Sequence, residues 1–339
     1  MKLGKLPFEY LSDILEKIPE YDSRVALGAY PGEDAALIDI GEKYLVVTTD
    51  PITFATDQIG WYAVNVNAND IAATGGIPKW MIANLLLPKS TSKKDVDTIF
   101  SQLIEACNEF DIKLVGGHTE ITNSVNTPVI MGGMLGEVDK GKEVRSSGAM
   151  KNDSIIITKR IPIEGSAILA TEKESLLISK NISKNNINSA KKLLMNPGIS
   201  IVQDAQIAMN AAPIHAMHDA TEGGVAQGLT ELAKASNLGM LINVDKVPLI
   251  NSSKDFWEAL DLNPLGVISS GTLIISVSQQ NTSAVIKALK NKGIEASEIG
   301  VMKENEYGLK MSSNGNIYDL PKFDQDEITK VLEKITLAI

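Results

Sequence analysis

The sequence predicts an α/β protein of two domains with the layout of an α+β N-terminal domain, residues 1–148, followed by an α/β C-terminal domain, residues 149–339. Three observations predict it. The 339 residues exceed what a single hydrophobic core fills. Apolar runs of strand length alternate with segments whose apolar residues recur at helical spacing. The stretch from Lys140 to Asp153, rich in Gly, Lys and Ser, interrupts that alternation as a domain boundary does.

Leu11 to Ile18 reads as a short amphipathic helix stopped near Pro19, and Gly28 to Asp34 as a loop. Ala35 to Ile40 and Tyr44 to Thr49 flank Gly41-Glu42-Lys43 and read as a hairpin bracketed by Asp34 and Asp50. Gln58 to Ala73 is the next helix, closed by Gly75-Gly76 and Pro78. Trp80 to Leu87 is a strand, Lys93 to Phe110 a helix, and Ile112 to Val115 a strand running into Gly116-Gly117-His118-Thr119-Glu120; Val129 to Val138 closes the first half.

In the second half Ile155 to Thr158 is a strand and Glu164 begins a helix, leaving Lys159 and Arg160 on the turn between them. Ser179 to Ser189 reads as a solvated helix junction. Ile214 to His218 is a strand, Asp219 to Gly224 a turn, and Val225 to Ala235 a helix with Val225, Leu229, Leu232 and Ala233 on one face. A terminal helix is predicted near Asp324 to Lys334.

Composition narrows the function. A net charge of -10 and a pI near 5.0 exclude a binder of nucleic-acid backbones, which needs clustered Lys and Arg. No apolar run approaches the roughly 20 residues of a membrane span, and Met1 to Pro7 lacks a secretory core, so a cytoplasmic protein without membrane contact is expected. The single cysteine, Cys107, falls on the apolar face of a helix with Leu103 and Ile104 and reads as a packing residue.

Several residues invite chemistry. Asn65, Asn67, Asn69 and Asp70 sit inside a helix, where Asn and Asp are poor formers, so something other than helix stability selects them. Asp34, Asp50, Asp70 and Glu120 each fall at or near an element end, and carboxylates brought together there would demand a hard cation such as Mg²⁺. Gly223-Gly224 precede a helix whose free amides could cradle a phosphate, with Asp219 beside them. Gly136 to Lys142 has the spacing of a P-loop, but Glu143 replaces the required hydroxyl and two acids lie inside the loop, so it is discarded. His215 and His218, three apart on a strand, face opposite ways and do not make one zinc site; His118 and His218 remain candidates for acid–base work.

In order along the chain, Gly32-Glu33-Asp34-Ala35-Ala36, Thr48-Thr49-Asp50, Asn69-Asp70-Ile71-Ala72, Gly116-Gly117-His118-Thr119-Glu120 and His218-Asp219-Ala220-Thr221-Glu222-Gly223-Gly224 resemble the signature segments of the aminoimidazole-ribonucleotide synthetase (PurM-like) superfamily. Asn65 to Pro78, Gly116 to Thr122 and Glu164 to Ala170 look most like its hydrogenase maturation members, the HypE type. The resemblance implies a PurM-like two-domain fold, a homodimer joined through N-terminal domain strands, and ATP between the domains. It implies Mg²⁺ on Asp34, Asp50, Asp70 and Asp219, and nucleotide contacts from Asn69, Gly116, Gly117, Thr119, Glu120, Thr221, Gly223 and Gly224. Asp70, Lys159 and His218 are the expected catalytic residues, Lys159 neutralising charge on the phosphate. The activity implied is Mg²⁺-dependent ATP hydrolysis or phosphoryl transfer activating a small-molecule or protein-borne acyl, amide or thioamide substrate, with hydrogenase maturation proteins as partners. HypE acts on its own C-terminal cysteine, whereas this sequence ends Thr336-Leu337-Ala338-Ile339, so self-modification at that end is not expected. The alternatives are a nucleotide-binding accessory protein without turnover and a kinase resembling thiamine-monophosphate kinase; neither Asn123 to Thr127 nor Leu262 to Gly271, the loops expected to set specificity, carries a motif.

Overall fold

The computed structural model describes residues 4–19, 22–53, 55 and 57–332, so that Thr336 to Ile339 lie outside the described residues. The chain runs α1 (Phe8–Leu15), β1 (Val25–Leu27), β2 (Ala36–Asp39), β3 (Lys43–Ile52), α2 (Ile59–Ala73), β4 (Ile77–Pro88), α3 (Lys93–Glu109), β5 (Lys113–Thr122) and β6 (Val129–Asp139). It continues through β7 (Ser154–Thr158), α4 (Ile163–Glu172), α5 (Glu174–Ser179), α6 (Lys184–Lys191), α7 (Val202–Ala211), β8 (Ala216–Asp219) and α8 (Gly224–Ala235). It closes with β9 (Gly239–Asn243), α9 (Lys254–Leu260), β10 (Leu273–Val277), α10 (Gln279–Asn291), β11 (Ala296–Lys303), β12 (Leu309–Ser313), β13 (Asn316–Asp319) and α11 (Thr329–Leu332).

By their internal packing these elements form two compact units. One comprises Glu20–Ala29 and Asp34–Glu143; the other comprises Met1–Pro19, Tyr30–Glu33 and Val144–Ile339. The opening helix, counted with the first half of the sequence, therefore packs with the second. It also sits earlier than expected, over Phe8–Leu15, because Pro7 marks its start.

The first unit is a six-stranded sheet in the order β1-β2-β3-β6-β4-β5. All its pairings are antiparallel except β4 with β5, which the α3 crossover makes parallel. Ser92 and Asp95 close a capping box at the start of α3. Helices α2 and α3 cover one face, where Met81, Ala83, Leu85 and Leu87 of β4 are buried. Ile82 and Met131 are exposed on the other face, and Val115 and Ile121 along edge strand β5. Every residue of α2 except Trp61 is buried, so its asparagines are not an exposed polar face. Cys107 is buried in α3, and burial pushes its thiol up to about 11, which keeps it protonated and inert.

The second unit is a seven-stranded sheet in the order β13-β12-β9-β11-β7-β10-β8, with β9 and β12 parallel and the other pairs antiparallel. Both faces of its centre are covered, so β7 and β10 are buried at every position. Ile155, Ile157 and Ile274 pack with Val225, Leu229 and Leu232 of α8 in one core cluster. The Ser179 to Ser189 junction contains the end of α5 and much of α6, with Ile187 buried. The terminal helix is described over Thr329–Leu332; Glu333 and Lys334 lie outside the described residues. No helix of the described residues is long and apolar enough to cross a membrane.

Candidate functional site

In the first unit the acidic residues are held by β3 and α2. Asp50 lies inside β3, which runs two residues past it rather than ending there. Thr48 and Asp50, two apart, project from the same face of the strand. The Thr48 hydroxyl donates to Asp70 Oδ2 at 2.7 Å and lies 3.2 Å from the backbone oxygen of Asp34, which brings these two segments onto one side chain. Asp70 is 5% exposed.

The α2 asparagines explain themselves here. Asn67 Oδ1 accepts the Asp50 amide at 2.8 Å, and its Nδ2 donates to the Asp50 carbonyl at 3.2 Å and to Ala63 O at 2.9 Å. A side chain thus satisfies both backbone groups of one acidic residue, as a neighbouring strand otherwise would. Asn65 bonds back to Trp61 O at 2.9 Å, the i−4 pattern of polar residues within helices. Asn69 is fully buried in the same helix. Gly132 stands opposite Asp50, and a Cβ there would collide with the Asn67 amide. The donor set, hard carboxylate oxygens with a hydroxyl orienting one of them, fits Mg²⁺.

Gly116 to Glu120 form the middle of edge strand β5 and not its end. Gly117 has φ of +149° and faces Ala83 of β4, whose carbonyl a Cβ would strike, so its glycine is accounted for by strand pairing. His118 Nε2 and Glu120 Oε2 form an exposed pair at 3.2 Å, and Thr119 is exposed beside them.

In the second unit β8 delivers His218 and Asp219 to the start of the Gly-rich turn. Gly223 and Gly224 both have positive φ, +79° and +64°, and a Cβ on Gly224 would meet the carbonyls of Leu265 and Val267. The phosphate cradle expected here is already engaged: the Gly223 amide donates to Asp326 Oδ2 at 2.7 Å, and the Gly224 amide to Thr221 O at 2.9 Å. Thr221 Oγ1 accepts from Lys5 Nζ at 3.2 Å. As read from sequence, His215 and His218 do not converge; His215 pairs with Asp153 at 2.8 Å, and Ser276 donates to the same carboxylate.

Lys159 corrects an expectation. Its ammonium is buried and donates to Asp204 Oδ2 at 2.8 Å, Ser200 O at 2.7 Å and Gly271 O at 3.0 Å. All three of its protons are committed within the unit, so the charge that was to face phosphate instead balances a buried acid.

Several residues went unmarked in the sequence. Glu164, at the start of α4, is fully buried; burial, with repulsion from Asp326 and Asp219, pushes it to about 7. Burial likewise pushes Asp326 to about 7 against the pull of the Ile328 and Gly223 amides. Glu231 of α8 faces His218 Nε2 at 3.2 Å. Burial works to raise Glu231, but the Lys5 charge, His218 and Gln227 overcome it and hold the carboxyl at about 2. Two of the missed residues lie inside quoted motifs, Thr48 in Thr48-Thr49-Asp50 and Glu164 at the head of Glu164 to Ala170; Asp326 and Glu231 need the fold to bring distant segments together.

Comparison with known proteins agrees with this architecture. Residues 32–138 match the profile of the AIR synthase related protein N-terminal domain, and residues 151–311 that of its C-terminal domain. A Methanocaldococcus jannaschii protein named for hydrogenase expression/formation is 28% identical over 94% of both chains. The carbamoyl dehydratase HypE of Rhizobium leguminosarum is 27% identical over 85% of this chain and 83% of its own. The thiamine-monophosphate kinase of Aquifex aeolicus is 26% identical over 90% of this chain and 94% of its own. Among solved structures, HypE in complex with ATP superposes with a TM-score of 0.72 at 22% identity, covering 87% of this chain and 89% of that one. The HypE–HypF complex gives 0.72 at 22% identity, covering 86% and 93%.

Proposed function

The chain belongs to the AIR synthase related proteins and is HypE-like in kind, and on that premise we propose that it binds ATP with Mg²⁺ and uses the γ-phosphate to activate an amide- or thioamide-like substrate in hydrogenase maturation. The observation that carries the reading is the Thr48 hydroxyl joining the Asp70 carboxylate to the Asp34 backbone.

Asp34, Asp50 and Asp70 are the proposed Mg²⁺ carboxylates. The ion would neutralise phosphate charge. Thr48 orients Asp70, and Asn67 holds the Asp50 backbone so that the carboxylate starts from a fixed strand position. Phosphoryl transfer works mainly by such positioning and electrostatics, in keeping with a chain that displays acids and no activated nucleophile. Asn69, Gly116, Gly117, Thr119 and Glu120 remain proposed nucleotide contacts, as does Thr221 of the other unit, where Asp219 is proposed as a further metal carboxylate and His218 as an acid–base group; the Gly223 and Gly224 amides, engaged by Asp326 and Thr221, leave the proposal. A homodimer through the edge of β5 and a HypF-like protein partner complete the proposal.

The test is equilibrium binding and steady-state turnover of Mg·ATP by the full chain. Binding with sustained hydrolysis, both lost in Asp70→Asn, is the expected result; a wild-type protein that binds no Mg·ATP overturns it, and binding without turnover identifies an accessory role. A second reading is favoured by the similarity to the Aquifex kinase across nearly its whole length: transfer to a small phosphate-bearing acceptor. Mass spectrometry of thiamine monophosphate incubated with protein and Mg·ATP decides it, a phosphorylated product supporting the kinase.

A further inference from the structure

We infer that the cavity between the start of α1, one face of α8 and the segment 322–326 binds a flat aromatic molecule with one positive charge and several N–H donors, such as an aryl amidine. The cavity lies wholly within the second unit, and none of the residues proposed for Mg²⁺ or nucleotide lines it. This inference and the nucleotide reading can therefore fail separately.

The space measures about 540 Å³, within the range of small-molecule sites. Gln227, Thr230 and Lys234, spaced three to four apart along α8, share one face of that helix and form one wall. Leu6, Pro7 and Phe8 form a second wall and Phe323 a third, so much of the lining is apolar and two of its side chains are aromatic. The Phe323 ring lies against Gly266, where a Cβ would come within 2.6 Å of it, and that close approach fixes the plane of the ring. A flat apolar body suits such walls.

The polar groups that α8 offers an occupant are acceptors. Gln227 spends its Nε2 on Glu231 Oε1 at 2.8 Å, which leaves the amide oxygen. The Thr230 hydroxyl donates to Ala226 O at 2.8 Å, so it too offers only lone pairs. Charge points the same way, for the lining holds three lysines against four acids. The protein itself answers the lysines. Lys5 donates to Thr221 Oγ1 at 3.2 Å, Lys234 donates to Glu9 at 2.7 Å and sits 4.4 Å from the centre of the Phe8 ring, and Lys322 joins Lys234 in holding Glu9 below the usual carboxylate range. The inner acids are less well answered. Asp326 accepts the Gly223 and Ile328 amides, yet burial pushes it to about 7 and the charge of Glu222 adds to the rise. Burial raises Glu222 as well, against the pull of Lys5. A cation bound beside Gln227 and Thr230 would relieve both, whereas an anion would meet acceptors and further negative charge.

The probe is benzamidine, an aromatic monocation whose polar groups only donate, and its control is benzoate, the same ring with acceptors only. Saturation-transfer NMR on the full chain, without nucleotide, should detect benzamidine and not benzoate, and the titration should saturate. Thr230→Val removes one acceptor while keeping the side chain's shape, and it should weaken benzamidine at least about tenfold, the usual worth of a hydrogen bond to a charged group. Leu6 lines the cavity and is 40% exposed, so Leu6→Trp fills the mouth at little risk to the fold and should abolish binding. No saturable benzamidine binding, equal binding of benzoate, or an affinity unchanged in either folded variant overturns the inference; benzamidine held by general attraction to an acidic chain would survive both substitutions. The wild-type comparison of the two probes and Leu6→Trp decide the matter even if Thr230→Val does not fold. A chain that binds Mg·ATP but no benzamidine sinks this inference alone; one that binds benzamidine in this cavity but no Mg·ATP sinks the nucleotide reading alone.

Discussion

Single side chains carry the sharpest consequences. Lys159 is the test of a balanced buried charge: Lys159→Met leaves Asp204 buried without its cation, which costs about 3–5 kcal/mol. A marked fall in melting temperature is expected. If the variant instead keeps wild-type stability and loses only turnover, Lys159 acts on the phosphate after all. Thr48→Val removes the hydroxyl that orients Asp70 while keeping the side chain's shape. It should lower Mg·ATP turnover at least tenfold with little change in thermal stability, because Thr48 is only partly buried and the loss is that of one charge-assisted hydrogen bond. Unchanged kinetics would remove Thr48 from the site.

At the scale of elements, α2 and β5 show how little local preference decides. Helix α2 carries asparagines that helices disfavour, and it keeps them because Asn67 serves the backbone of β3. Gly132→Ala tests that junction: its Cβ would push the Asn67 amide off Asp50, and the expected outcome is weakened Mg²⁺-dependent ATP binding in a protein that retains its circular dichroism. ATP affinity equal to wild type would mean that the junction tolerates the methyl group. Strand β5 is an open edge with Val115 and Ile121 exposed, a condition that stable proteins cover or blunt. A charge on that edge, as in Ile121→Glu, should convert a dimer to monomers in sedimentation velocity. A variant that sediments like wild type would place any self-association elsewhere.

For the molecule as a whole, the buried acids of the second unit set its response to pH. Glu164 is pushed from 4.5 to about 7 and Asp326 from 3.8 to about 7, both chiefly by burial. With the folded value above the unfolded one, the folded protein binds more protons through this window, so stability falls as pH rises from about 4 to about 7 and levels off beyond it. Each group accounts for roughly 3–4 kcal/mol. Urea unfolding should therefore show lower stability at pH 8 than at pH 5, and Glu164→Gln, neutral at both, should reduce the difference. A Glu164→Gln difference as large as wild type would show that Glu164 does not titrate on unfolding.

The sequence by itself determined most of the order of elements, because apolar periodicity and Gly/Pro punctuation are local: Gln58 to Ala73 and Lys93 to Phe110 match α2 and α3 to within a residue at each end. It also determined the family, since five short motifs stand in a characteristic order, and it named Asp34, Asp50 and Asp70 as candidates. Only the tertiary structure decided what those and other residues touch. Thr48 and Asp70 are 22 positions apart, Lys159 and Asp204 are 45, and Gly223 and Asp326 are 103; no periodicity encodes such pairings. The same glycine turn that reads as a phosphate cradle along the chain is filled in space by an acid from near its far end, and the lysine that reads as catalytic is neutralised by a buried partner. Hydrogen bonding and charge compensation are satisfied in three dimensions, so a residue's chemistry depends on partners that its own neighbourhood in sequence does not reveal.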